Sequence, residues 1–190
     1  LGHLDEMLTQ NIPLEVEADV QKIQLDYFHP WPKVENFSGH LSYHNQNLRV
    51  KGRGSIQNSE VEMVTADISD ILGQEPGLKI ESVVKGELSD GWNTIYQGKL
   101  LDEQWHSDLL MNGPMLLHLG LEIPLGEKSG HLKAKGKVSV EQATLTSPLF
   151  SAPHHHISGL VEFDDDHIYA DHLKLRIDGK DEFKAKLNAS

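Results

Sequence analysis

Cysteine is absent from this chain of 190 residues, and aromatic residues make up only 6% of it. Without cysteine there can be no disulfide bond, no thiol nucleophile and no thiolate zinc site. Long apolar stretches are absent as well, since no uncharged run reaches the roughly 18 residues that a membrane-spanning helix needs. Nothing in the sequence resembles a signal peptide.

Basic residues are in the minority, with 17 Lys and Arg against 29 Asp and Glu, so the net charge is −12 when histidine is neutral. A nucleic-acid-binding protein needs a basic face to displace the counterions of the phosphates, and this balance argues against nucleic acid as a partner. Hydrophobic residues reach 38%, enough for the folded core of one domain. Because the sequence pattern is still running at Ser190, we expect residues 1–190 to be a single β-rich segment of a larger repeat protein.

The dominant pattern is an alternation of apolar and polar residues with a period of two, as in residues 115–123. Strand side chains point alternately to opposite faces, so this alternation predicts strands with one apolar and one polar face. Such strands are typical of antiparallel sheets, and short polar segments such as Asp90-Gly91 are predicted to separate them. We predict a mainly β fold, a curved antiparallel sheet of about ten strands that folds into a taco-like groove, with one amphipathic helix.

One segment breaks the alternation and predicts that helix at residues 94–111. Its apolar residues recur at helical spacing, at Leu101, Trp105 and Leu109. Thr94 and Gln97 suit a capping box at the start of a helix, and Gly113 suits its end.

Two stretches, Ser38–Val50 and Ser158–Ala170, repeat one pattern: Ser-Gly, an aliphatic residue, an aromatic residue, a polar turn and another aliphatic residue. The pattern predicts a hairpin of strand, polar four-residue loop and strand. We interpret it as a duplication of units 14–90 and 115–188, joined by the helical connection 94–111. Independent convergence of two hairpins is the alternative.

The 12 histidines are the most conspicuous candidates for chemistry. His154–His156 form a run, but neighbouring strand side chains point to opposite faces and do not easily place three rings on one metal ion. The acidic run Asp164–Asp166 is typical of a solvated turn. The chain also lacks the Gly-x-Ser-x-Gly elbow of a serine hydrolase. We therefore predict no catalytic residue, no metal site, no cofactor and no enzymatic activity.

The apolar strand faces are ordinarily covered by another sheet or by helices. Here a single predicted helix would have to cover about ten strands, and large aromatic residues are too few to fill the space. A sheet curled on itself with an aliphatic interior could therefore leave room for a guest molecule.

Three blocks of the sequence, taken in order, resemble the YhdP branch of the AsmA-like proteins. The first is Pro30–Tyr43 followed by Ala66–Asp70, the second is Leu119–Leu125 followed by Ala143–Leu149, and the third is Gly159–Phe163 with Leu173. The similarity covers roughly residues 14–187. Each motif is degenerate, and the order of the blocks is the specific part.

The resemblance implies a long periplasmic protein, anchored in the inner membrane of Gram-negative bacteria, whose β segments conduct phospholipid towards the outer membrane. It implies phospholipid and neighbouring segments of the same parent chain as partners, and no catalytic residues. The hypothetical wall of the lipid groove consists of the inward-facing apolar residues Leu117, Leu119, Leu121, Ile123, Leu132, Ala134, Val138, Val140, Val161, Phe163, Leu173, Leu175 and Ile177.

Two other functions remain open from the sequence. One is a structural or partner-docking β domain whose core is filled by its own side chains. The other is a metal-dependent hydrolase that uses the histidine-rich loop.

Overall fold

The computed structural model describes residues 14–26, 32–97, 110–125, 131–146, 155–177 and 183–189. These residues form eleven strands in one open sheet, together with one helix. In chain order the elements are β1 (Glu15–Leu25), β2 (Val34–His44), β3 (Asn47–Ile56), β4 (Ser59–Ser69), β5 (Gly77–Glu87), α1 (Leu88–Gln97), β6 (Leu110–Asn112), β7 (Pro114–Pro124), β8 (Lys133–Thr146), β9 (His155–Phe163), β10 (Ile168–Ile177) and β11 (Phe183–Ala189).

The sheet is a meander, in which each strand pairs antiparallel with the next long strand of the chain. Its order is β1-β2-β3-β4-β5-β7-β8-β9-β10-β11, and the short strand β6 pairs with β8. Antiparallel neighbours need only a short turn between them, which explains why sequence order and spatial order coincide. The predicted mainly β, antiparallel fold of about ten long strands with one helix is confirmed.

The two hairpins of the sequence repeat are present, but their turns differ. The β2–β3 turn contains only Asn45 and Gln46, with φ angles of 47° and 65°. Positive φ at both positions is what a type I′ turn requires, so the predicted four-residue loop is wrong here. The β9–β10 hairpin has the predicted four-residue loop, and the backbone N–H groups of Asp166 and His167 donate to Asp164 Oδ1 over 3.0 and 2.9 Å.

The helix lies earlier in the chain than predicted. It begins at Leu88 and not at Thr94, and Met111 belongs to strand β6, so the predicted bounds 94–111 are wrong. Residues 98–109 lie outside the described part of the chain. Asp90-Gly91, predicted as a break between elements, lies in the first turn of α1, because tertiary hydrogen bonds to the Asp90 side chain hold that turn on the sheet.

The strand register aligns apolar residues in rows across one face of the sheet. One row is Ala18, Leu41, Val50, Ala66, Ile80, Leu121 and Ala134. The opposite face carries a matching row of alternating charge, which is Arg49, Asp67, Lys79, Glu122 and Lys133. Opposite charges on neighbouring strands stabilise the register and keep this face in water.

The apolar face is only partly covered. Ten hydrophobic side chains of the described residues are buried. Five of them form the main cluster, which contains Val61, Val84, Met115, Val140 and Ala143. A smaller cluster is built on Leu121 and Ile123. The other apolar strand residues range from half-buried to exposed, as expected where the described strands form a single sheet.

The same β-bulge occurs twice, at matching positions of the repeated pattern. In the first, Lys22 has φ of 53° and its N–H donates to Ser38 Oγ over 3.1 Å. In the second, Gln142 has φ of 52° and its N–H donates to Ser158 Oγ over 2.8 Å. Both bonds join residues 16 positions apart. A duplication accounts for this geometry, although duplication itself stays a prediction.

Candidate functional site: an apolar groove on the sheet

The apolar face forms a groove with a volume of about 320 Å³. Strands β1 to β5 and β7 supply its floor and sides, and α1 closes part of it. Its aliphatic lining consists of Leu25, Val34, Val50, Ile56, Val61, Val64, Ala66, Ile68, Leu78, Ile80, Val84, Leu117, Leu119 and Leu121, with Met115 and Phe37 beside them.

The groove exists because the sheet curls. Six adjacent strands laid flat would place the first and last about 24 Å apart, at about 4.8 Å per strand. Nevertheless, Leu25 of β1 and Leu117 of β7 line one groove. The register shift near Lys22 in β1 contributes to the curl, because a bulge bends the strand that carries it and increases its twist.

The only charged residues of the lining are Asp26 and Asp90, and both have partners. Asp26 Oδ2 lies 2.9 Å from Lys33 Nζ at the exposed rim. None of the described lining residues is a lysine, an arginine or a histidine. A groove of this composition suits an uncharged aliphatic guest and offers no cation to a phosphate or carboxylate.

Asp90 is buried at the point where α1 meets the sheet, with 7% of its surface exposed. Asp90 Oδ2 accepts hydrogen bonds from Ser59 Oγ at 2.9 Å and from the Asn58 backbone N–H at 3.2 Å. The Asn58 side-chain amide donates to Asp90 Oδ1 at 3.4 Å. These donors offset the cost of removing a carboxylate from water.

Aromatic rings fill two shallow places that glycines create on this face. The Phe37 ring covers Gly52, and a Cβ atom at Gly52 would lie 2.5 Å from Phe37 Cζ. The Phe163 ring covers its cross-strand partner Gly136 in the same way, at 2.6 Å. In both places the ring occupies the space that a side chain at the glycine would need.

The structure brings part of the predicted wall together. Leu117, Leu119 and Leu121 line the groove. The other predicted residues with described side chains are buried or half-buried outside it: Ile123, Leu132, Ala134, Val138, Val140, Val161, Phe163, Leu173 and Leu175. The side chain of Ile177 lies outside the described part. The role of the whole set as a lipid-contacting wall stays a prediction.

The lining from β2 to β5 was not among the predicted wall residues. The sequence did indicate an apolar face for these strands, because Leu78, Ile80 and Val84 alternate with polar residues. What the alternation does not contain is the direction in which the sheet curls. This direction decides which apolar rows enclose a groove.

His40, His44 and His118 are exposed and lie on the polar face of their strands. His40 Nδ1 lies 2.9 Å from Asp19 Oδ1, and His44 Nδ1 lies 2.7 Å from Glu15 Oε1. No group of three or more potential ligands that could hold a metal ion occurs within the described ranges. His154 lies outside those ranges, so the histidine run is only partly described.

The Asp164 carboxylate accepts hydrogen bonds within the β9–β10 loop. The backbone N–H of Asp166 donates to it, which lowers the pKa of Asp164, and the backbone and side chain of His167 act in the same direction. Such a turn stabilises the hairpin and has no reactive partner at hand.

The described helix is too short to cross a membrane. The family model described as "YhdP protein" matches residues 6–188 of the sequence. No match was found among curated proteins or among solved structures.

Proposed function

Because this chain belongs to the YhdP family, we propose that it is a non-enzymatic segment of a periplasm-spanning lipid conduit. The apolar groove shields the acyl chains of phospholipid during transport from the inner to the outer membrane. The parent protein is anchored in the inner membrane, and this segment lies in the periplasm.

The observation that carries the proposal is the continuous aliphatic lining of the groove, from Leu25 to Leu121. Each methylene group transferred from water to an apolar surface is stabilised by about 0.8 kcal/mol. Two acyl tails therefore resist crossing an aqueous gap by on the order of tens of kcal/mol. A groove of this kind removes most of that barrier without any chemical step.

The polarity of the lining favours transport over tight capture. Among the described lining residues only Asp26 and Asp90 are charged, and the nearby cation of Lys33 already pairs with Asp26. The headgroup therefore stays in water at the open side, and only the tails enter. Uniform aliphatic contacts allow the tails to slide, because no position binds them much more strongly than the next.

The size of the sheet fits one length of such a conduit. Ten strands side by side span about 48 Å at about 4.8 Å per strand. In this proposal neighbouring segments of the same parent chain continue the groove on either side.

The test is photo-crosslinking with a phosphatidylethanolamine that carries a diazirine in one acyl chain. We expect the native chain to crosslink through groove residues and Leu119→Asp to lose most of the crosslinking. His118→Asp is the matched control, because its side chain is exposed and lies on the opposite face of the same strand. Absence of crosslinking in the native chain would contradict the proposal.

A structural or partner-docking domain with a filled core is the second candidate. The packed cluster around Met115, Val140 and Ala143 favours it for the region where β7 and β8 meet α1. Native mass spectrometry that finds no co-purified lipid, together with unfolding of Leu119→Asp, would support this candidate instead. The metal-dependent hydrolase has no corresponding support in the described residues.

A further inference from the structure

We propose that α1 is a displaceable plug in the groove, held closed by a latch that consists of Asp90, Asn58 and Ser59. A bound acyl chain and α1 compete for the same apolar residues, so lipid passes this point only when the latch releases. The inference rests on the proposed lipid-binding function and adds a gate to it.

The competition follows from shared contacts. Val61, Val84 and Met115 belong to the cluster against which Leu88 of α1 packs, and the same three residues line the groove. Gly91 also faces Met115, because a Cβ atom at Gly91 would lie 2.9 Å from Met115 Cε. An acyl chain that reached these residues would replace the apolar cover that α1 gives them, so the plugged and the lipid-filled states bury similar apolar surface.

The latch is the polar part of an otherwise apolar contact. Ser59 is 3% exposed and donates to the Asp90 carboxylate, while Asn58 contributes its backbone and side-chain N–H groups. On release the carboxylate regains water, which replaces the lost hydrogen bonds. Neither the closed nor the open state of α1 leaves the Asp90 carboxylate buried and unpaired. A small difference in free energy between the two states is therefore enough to shift the population from one to the other.

One polar group of α1 is buried without a hydrogen bond. Trp92 Nε1 is buried and has no hydrogen-bond partner among the described residues. A buried donor without a partner destabilises the closed state. The first residue of the helix, in contrast, is held by a hydrogen bond, because the Leu88 N–H donates to the Gly113 carbonyl oxygen at 2.8 Å. This arrangement favours a movement in which the first residue acts as the pivot.

The absence of native cysteine makes the latch directly testable. The double variant Ser59→Cys with Asp90→Cys places two thiols at the γ positions of side chains that are hydrogen-bonded to each other in the native chain. Binding of a phosphatidylethanolamine with one pyrene-labelled acyl chain is measured by fluorescence. We expect oxidation to weaken binding at least about tenfold and reduction to restore it, a change equivalent to about 1.4 kcal/mol.

Asp90→Asn tests the latch in the opposite direction and needs no crosslink. Replacing a charged acceptor by a neutral one weakens its hydrogen bonds, so the open state becomes more populated. We expect binding of the pyrene lipid to become tighter, by about tenfold. If a thermal melt shows that Asp90→Asn is unfolded at the assay temperature, Ser59→Ala takes its place, because it removes one donor and keeps the carboxylate.

The outcomes separate the gate from the function on which it rests. Equal affinity in the oxidised, reduced and Asp90→Asn proteins overturns the latch and leaves the lipid-binding proposal standing. Weaker binding in a folded Asp90→Asn also overturns the latch, because it assigns Asp90 a purely structural role. Failure of the native chain to bind the pyrene lipid, together with failure of every variant, contradicts the proposed function itself.

Discussion

Phe37 occupies the space that a side chain at Gly52 would need, since a Cβ atom at Gly52 would lie 2.5 Å from Phe37 Cζ. Phe37 is 1% exposed and is the largest fully buried side chain of the described residues. The ring and the glycine are therefore one packing unit that joins β2 to β3.

Gly52→Ala is expected to destabilise the fold by about 1–3 kcal/mol, because the Phe37 ring must move out of a rotamer that its surroundings fix. Urea unfolding followed by circular dichroism measures the change. Gly77→Ala is the control, because a Cβ atom there meets nothing within 4 Å. Equal losses in the two variants would show that the contact with Phe37 is not the cause.

Met115→Ala is expected to cost about 2–5 kcal/mol of unfolding free energy, because Met115 is buried in the main cluster beside α1. The same substitution at Met63, whose side chain is half exposed, is the matched control and should change the stability little. Comparable melting temperatures for the two variants would argue against a packed cluster at this position.

Val138→Asp and Leu119→Asp should behave differently, although both residues belong to the hypothetical wall. Val138 packs against the main cluster, so an unpaired charge there is expected to destabilise the fold by about 3–5 kcal/mol. Leu119 packs against the smaller cluster of Leu121 and Ile123 but also lines the groove, so its loss of stability should be smaller. Thermal melts compare the stabilities of the two variants. A larger loss of stability in Leu119→Asp than in Val138→Asp would contradict the position of the groove.

Ser38→Ala and Ser158→Ala should weaken the two bulges to a similar degree, by about 1 kcal/mol each, because each removes the acceptor for one backbone N–H. The two sites lie in different strands and share no partner, so the effects should add in the double variant. Unequal effects would show that the two bulges, despite their equal geometry, are not energetically equivalent.

Asp164→Asn should reduce stability at neutral pH and have no effect in strong acid. The folded state lowers the pKa of Asp164, so its contribution is complete above the unfolded value of about 3.9 and is lost as the pH falls through the lower, folded value. Thermal melts at pH 7 and about pH 2 measure this, with Asp166→Asn as a control for the change in loop charge. A difference that persists at the acidic pH would exclude ionisation of Asp164 as its source.

The alternation of apolar and polar residues was sufficient to predict the strands. Leu117, Leu119 and Leu121 lie on one face because a strand permits nothing else, and the acidic run Asp164–Asp166 forms the turn that its composition predicts. The antiparallel order followed from the same pattern, since half-polar strands do not suit a sheet that is buried on both sides.

The start of α1 could not be predicted from local sequence. Asp90-Gly91 is a common turn pair, and only the hydrogen bonds from Asn58 and Ser59, residues far away in the chain, hold it in a helix. The bulges were equally hidden, because Lys22 and Gln142 have positive φ without being glycine or asparagine. The sequence also did not show that residues of β2 to β5 line a groove, because the alternation does not contain the three-dimensional shape of the sheet.

The meander has a consequence for how such a protein changes in size. Since every long strand is bonded only to its neighbours along the chain, inserting or deleting one hairpin preserves all other pairings. Each such event alters the span by two strand widths, about 9.6 Å. The width of the sheet can therefore change in uniform steps, and a wider or narrower sheet requires no redesign of the architecture.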